Sequence, residues 1–186
     1  MASNILDVLT LSVTLVVLCI NIFFSKKENT RRFLIENVIH QRNADMLELR
    51  KQTAQFSVWS DRKIVEKNFD NNEYLEQLIH CSKILNHVLK REYREDRKVL
   101  AIKDSIVVKI KEFCVTNDIG LLDEIERMNS IFGRISELYV FCAWQCIKMQ
   151  GTGENKLGSE DFSELFIRYQ NSYLTAEDLA YIASIH

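Results

Sequence analysis

The first apolar run of the chain, residues 5–24, reads ILDVLTLSVTLVVLCINIFF and has its two most polar side chains, Asp7 and Asn21, near its ends. A bilayer core about 30 Å thick needs about 20 apolar residues in a helix, so the length fits one crossing. A buried globular helix would show a polar face, which three hydroxyl side chains do not provide. We therefore predict a transmembrane helix, and the residues assigned to it are Ile5, Leu15, Val16, Val17, Leu18 and Phe24.

The charges that flank this run predict its orientation. No Lys or Arg precedes it, whereas four basic residues follow it closely: Lys26, Lys27, Arg31 and Arg32. Basic flanks stay on the cytoplasmic side, which predicts an inner (plasma) membrane protein with its N-terminus outside and its C-terminal domain in the cytoplasm. A secretory signal peptide would instead begin with basic residues and end at a small-residue cleavage site, and this segment has neither.

Behind the span, apolar residues continue at helical spacing without a helix breaker as far as Gln55, which predicts that the membrane helix continues into a stalk. Further helical stripes follow, separated by capping sequences at 60–61, 70–72, 116–118 and 175. These patterns predict an all-α fold in three parts. Residues 1–25 form the transmembrane anchor, 26–57 a basic juxtamembrane stalk helix, and 58–186 an antiparallel cytoplasmic bundle of four or five helices.

The charged interval 90–98, KREYREDRK, interrupts one apolar stripe and leaves two alternatives open. It is the solvated middle of one very long helix, or the bend between two helices. Its acids Glu95 and Asp96 are expected on a solvated face laced with salt bridges to neighbouring Lys and Arg side chains. The helix after 116–118 is expected to be the most buried element, because its later half is apolar on most sides.

Composition and charge narrow the function classes. The 186 residues include no Pro and five Gly, which favours long helices. A net charge of −2 gives no reason to expect nucleic-acid binding. Residues 25–56 carry seven Lys and Arg against four Asp and Glu, so the basic part of the chain adjoins the predicted membrane, whose anionic headgroups attract it. The odd number of cysteines, five, fits reduced core thiols better than disulfides.

Candidates for catalysis or metal binding are weak. His80 and His87 lie two helical turns apart beside Cys81, but the Glu-x-x-His pattern of two-helix carboxylate metal sites is missing. Cys142 and Cys146 lack the second cysteine pair that a zinc ribbon needs. The sequence contains no phosphate-binding loop and no nucleophile elbow. We therefore expect no catalytic, cofactor-binding or metal-binding residues, and no enzyme.

Residues 42–56, RNADMLELRKQTAQF, carry the most specific local pattern of the chain. This stretch resembles a helix of small, mostly uncharacterised bacterial and prophage membrane proteins, in which an N-terminal transmembrane helix leads into Arg-x-x-Trp-Ile-x-x-Leu-Arg-x-x-x-Ala-x-Phe. Asp45 and Met46 stand where that pattern has Trp and Ile. The resemblance covers about the first 56 residues. It implies a helical cytoplasmic domain and an accessory role in phage defence or prophage exclusion, and no catalytic residues. The matching residues are Arg42, Leu49, Arg50, Ala54 and Phe56.

These patterns predict a non-catalytic, single-pass, membrane-anchored interaction or effector protein. Its expected partners are the lipid bilayer, a protein bound through the bundle and a second copy of the chain, with no nucleic acid. An alternative is a membrane-disrupting effector whose span oligomerises through its polar side chains when a cytoplasmic partner releases it. For residues 42–56, an ordinary amphipathic stalk remains the alternative to partner docking. The residues expected at the membrane surface or partner interface are Lys26, Lys27, Arg31, Arg32, Arg42 and Arg50.

Overall fold

The secondary structure of the described residues is entirely helical, which confirms the all-α prediction. The structure is a computed structural model that describes residues 2–90, 93–151 and 159–185, except for the side chains of residues 2–13, 15, 16, 30, 31, 34, 35, 150, 151 and 159–161. Within these ranges it contains seven helices: α1 (Ala2–Trp59), α2 (Arg62–Asn68), α3 (Asn72–Val88), α4 (Arg94–Thr116), α5 (Gly120–Gly151), α6 (Ser159–Tyr173) and α7 (Ala176–Ser184).

The chain divides into two compact units, Met1–Gln41 and Arg42–His186. In the described residues, the first unit consists of α1 alone, and the second holds the rest of α1 together with α2–α7. The second unit therefore contains more helices than the four or five that the sequence predicted.

The predicted membrane-spanning residues lie on α1. Three of them have described side chains, and all three are exposed: Val17, Leu18 and Phe24. The other three lie outside the described side chains: Ile5, Leu15 and Val16. In the part of the chain that the structure describes, no helix is both long enough and apolar enough to cross a bilayer. The transmembrane helix stays a prediction.

Helix ends in the second unit follow the predicted capping residues. The Asp61 carboxylate accepts the Lys63 backbone N–H at the start of α2, and the Asn71 side chain caps α3 in the same way. At the end of α4, Asn117 adopts a left-handed backbone conformation with φ 52°, which stops the helix. These caps are local interactions between residues close in sequence, so the sequence alone locates them.

The charged interval 90–98 contains the break between two helices and is not the middle of one long helix. Helix α3 ends at Val88, the backbone of Leu89 is extended, and α4 begins at Arg94. The fully buried ammonium group of Lys103 ties the two helices together. Its Nζ lies 2.9 Å from Ser82 Oγ and 2.6 Å from Asn86 Oδ1 on α3. The Asp104 carboxylate, with Oδ1 2.7 Å from Lys103 Nζ, supplies the counter-charge that a buried lysine needs.

Helix α5 has the largest number of buried side chains in the described residues, eleven, but the shorter α4 has nine, so residue for residue α5 is not the more buried helix that the sequence predicted. The buried side chains of α5 concentrate in its earlier half, where Phe132 is fully buried and packs on Phe56 of α1 with ring centroids 5.0 Å apart. Its later half is less buried than its apolar pattern suggested. Trp144 is 39% exposed and Val140 is half-buried, because both face a groove.

A bidentate ion pair fastens α7 to α5. Arg134 donates from Nε and from a terminal nitrogen to the two carboxylate oxygens of Asp178, at 3.0 and 2.7 Å. The same carboxylate accepts the Thr175 backbone N–H in a capping box at the start of α7. Burial would raise the pKa of Asp178, but the hydrogen bonds from Arg134 and Thr175 outweigh it and lower the pKa below its ordinary value.

Asp178→Asn should lower the free energy of unfolding at pH 7 by about 1.5–3 kcal/mol, because it removes charge-assisted hydrogen bonds. The folded pKa is the lower one, so the stabilisation is complete above the unfolded pKa of about 3.9 and is lost as pH falls through the folded value. Urea unfolding between pH 7 and pH 3 should therefore show the variant and the parent converging at low pH. The exposed neighbour supplies the control, Glu177→Gln, with an effect below about 1 kcal/mol. A constant difference across this pH range would contradict the assignment.

Candidate functional site

The structure separates the predicted surface residues into two groups. In the first unit, Lys26, Lys27 and Arg32 are exposed, and Arg32 pairs with Glu28 at 3.3 Å; the side chain of Arg31 lies outside the description. In the second unit, the exposed arginines of the 42–56 stretch border two different cavities between α1 and α5: Arg42 and Arg50.

The larger cavity is a groove of about 1030 Å³ that follows α1 from Asn43 to Ser57 and α5 from Gly133 to Trp144. Both helices contribute small and large side chains to its walls, and a Cβ added at Gly133 would meet no atom within 4 Å. Arg50 on α1 and Glu137 on α5 both line the groove, so it offers charges of both signs.

Two buried polar atoms of this groove have no hydrogen-bond partner: Asn43 Oδ1 and Ser136 Oγ. A buried polar atom without a partner costs about 1–3 kcal/mol. Large apolar side chains stay exposed along the same groove, namely Leu47 and Trp144. Exposed apolar side chains that line one groove are a feature of protein–protein interaction sites.

The smaller cavity, of about 370 Å³, holds the acids Glu95 and Asp96. Both are buried, so the expected solvated face with salt bridges is wrong. Asp96 accepts the Lys90 backbone N–H at 2.6 Å and the Tyr139 hydroxyl at 2.7 Å. These donors replace water at the buried carboxylate. Burial nevertheless raises its pKa, and burial together with the nearby Asp96 charge raises the pKa of Tyr139 as well.

Glu95 differs from Asp96 at one of its oxygens. Its side chain is 3% exposed, and its buried Oε1 has no hydrogen-bond partner among the residues that the structure describes. Glu95 and Asp96 occupy the first turn of α4, where the helix dipole favours negative charge. That preference is the one sequence signal that could have identified them as helix-start residues, whereas the charge pattern of residues 90–98 assigned them to a solvated interval.

The histidines and cysteines that were considered for metal binding or catalysis do not form a reactive cluster in the described residues. His80 and His87 are exposed, while Cys81 beside them is buried. Across the described ranges, no group of three His, Cys, Asp or Glu side chains is placed to hold a metal ion. Burial raises the pKa of Cys142 to about 12, which keeps this thiol protonated and therefore a poor nucleophile near neutral pH.

Comparisons with protein-family models, with curated proteins and with solved structures return no match to this chain. A function for this chain is therefore inferred from the geometry of the two cavities and from the exposed apolar part of α1.

Tyr139→Phe should lower the free energy of unfolding by about 1–3 kcal/mol, because the buried Asp96 carboxylate loses one of its two described donors. Tyr169→Phe is the matched control, since Tyr169 is a half-buried tyrosine that packs on Phe141 with ring centroids 5.0 Å apart. Urea unfolding followed by circular dichroism measures both variants. Equal losses in the two variants would show that the Tyr139 hydroxyl gives Asp96 no special support.

Proposed function

We propose that this chain is a non-catalytic, single-pass, membrane-anchored helical interaction protein whose second unit binds a protein partner in the α1–α5 groove. The proposal places everything after the span in the cytoplasm and, with the bacterial resemblance described above, assigns an accessory role in phage defence or prophage exclusion. The observation that supports the membrane anchor is the exposure of apolar side chains on α1.

Six of the eight residues from 17 to 24 have large apolar side chains that are each 48–66% exposed: Val17, Leu18, Ile20, Ile22, Phe23 and Phe24. Successive residues of an α-helix are about 100° apart, so these side chains point to all sides of α1. Covering one such side chain is worth roughly 1.5–3 kcal/mol, and a surface apolar all round suits lipid better than a single protein partner. Exposed Lys26 and Lys27 follow at once, as they do at a cytoplasmic boundary.

The groove fits a helical segment of a partner. From Asn43 to Ser57 it follows 15 residues of α1, and the 14 steps between them correspond to about 21 Å at 1.5 Å per residue, or about four helical turns. The open space beside Gly133 permits close approach of a second helix at that point, and Leu47 and Trp144 supply apolar contact area.

The anchoring proposal predicts that the full chain resists extraction from membranes by alkaline carbonate. Leu18→Asp with Ile20→Asp should move it to the soluble fraction, because each charge in the middle of a span costs about 2.5–3.5 kcal/mol. Asn29→Asp with Asn37→Asp, at exposed polar positions of the same helix, should leave it in the membrane pellet. Extraction of the unmodified chain by carbonate would refute anchoring.

The groove proposal predicts a cross-link of discrete mass in native membranes when Leu47 is replaced by the photoreactive residue p-benzoylphenylalanine. Gly133→Met should abolish this adduct by filling the open space beside Gly133. The same photoreactive residue at Val115, which is exposed on α4 outside the groove, is the control and should give no such adduct. An adduct from position 47 that survives Gly133→Met would place the partner elsewhere.

A further inference from the structure

The Glu95 carboxylate in the smaller cavity has the surroundings of a ligand counter-ion. We infer that this cavity binds a small organic cation, a primary ammonium group on an apolar chain, with Glu95 as its charge partner. This inference stands apart from the proposed membrane anchoring and from the α1–α5 groove, because it depends only on side chains of the smaller cavity.

The first step is the missing partner of Glu95. A buried carboxylate oxygen is strongly unfavourable unless donors or a cation neutralise it. Asp96, one residue further on, has two described donors, whereas Glu95 Oε1 has none. Arg42 also lines the cavity, yet it does not donate to Glu95 Oε1. A ligand N–H group is the partner that this oxygen lacks.

The second step is the charge around the cavity. Its walls include three acids, Asp45, Glu95 and Asp96, against one base, Arg42. Arg94, Arg97 and Lys98 at the start of α4 line a different cavity, against α6 and α7, and the described residues show no ion pair between them and Glu95, although the Glu95 charge acts on Lys98. The smaller cavity therefore favours a positively charged occupant.

The third step distinguishes an organic cation from a metal ion. The described residues offer no group of three His, Cys, Asp or Glu side chains that could hold a metal. The walls are instead mostly apolar, with Met46, Leu49 and Ile147, and include the aromatic rings of Tyr93 and Phe162. Aromatic faces attract ammonium groups, and about 370 Å³ lies in the range of small-molecule sites.

Isothermal titration of the purified full chain with n-hexylammonium tests this inference, with the heat of the same titration into the protein-free medium subtracted. We expect saturable binding of one molecule per chain, and binding at least tenfold weaker for n-hexanol, which has the same apolar chain without the charge. Glu95→Gln keeps the side-chain shape, removes the charge and should weaken hexylammonium binding at least tenfold. Glu137→Gln, which removes a carboxylate from the larger groove, should leave the affinity unchanged.

A second variant tests the cavity without removing the charge. Ala143→Leu adds bulk to the α5 wall of the same cavity and should abolish hexylammonium binding while Glu95 remains. Absence of binding to the unmodified chain at millimolar hexylammonium would overturn the inference. Equal affinity in Glu95→Gln, or equal affinity for hexanol, would overturn it as well. Loss of membrane anchoring in the carbonate experiment would leave these results unaffected, so the two proposals fail separately.

Discussion

The contact between the end of α1 and α5 lies beside both of the cavities that border α1 in the second unit. Phe56 is fully buried against Phe132, and the Asn129 side-chain amide donates to the Ser57 carbonyl oxygen at 2.9 Å. The apolar contact supplies most of the stabilisation, while the hydrogen bond fixes the register of the two helices. Because this contact lies at the C-terminal end of α1, residues 42–50 border cavities where a longer packed interface would have filled them.

In the first turns of α4, acidic and basic side chains lie on different sides of the helix. Glu95 and Asp96 face the smaller cavity, whereas Arg94, Arg97 and Lys98 face a separate cavity of about 590 Å³. Lys98 lies over the Phe166 ring, 5.2 Å from its centroid, and burial lowers its pKa, with a further contribution from the Arg94 charge. The described residues show no ion pair between these basic side chains and Glu95, although the Glu95 charge acts on Lys98 and opposes the lowering of its pKa. The order of acidic and basic residues in α4 therefore bears on which class of ligand is inferred for the smaller cavity.

The sequence predicted interactions between neighbouring residues, but it did not predict contacts between residues that are far apart in the chain. The caps at Asp61, Asn71 and Thr175 involve residues three positions apart or fewer, so the sequence located them correctly. The burial of Asp96 depends on Tyr139, 43 residues later, and a charged interval gives no local sign of that contact. Likewise, helical spacing placed Arg42 and Arg50 on one stalk, whereas their positions beside two separate cavities follow from how α1 meets α5. The membrane span stays a sequence prediction, since no helix of the described residues is long and apolar enough to cross a bilayer.

Hydrogen–deuterium exchange of Phe56→Ala measured by mass spectrometry tests the dependence of both cavities on the α1–α5 contact most directly. The truncation removes about 3–5 kcal/mol of packing, and we expect faster exchange at the amides of residues 42–55 while those of α4 stay protected. Phe69→Ala is the matched control, since it removes the same ring from the Phe69–Phe113 contact elsewhere in the core. It should leave residues 42–55 protected. Unchanged protection of residues 42–55 in Phe56→Ala, or equal loss in both variants, would contradict the account.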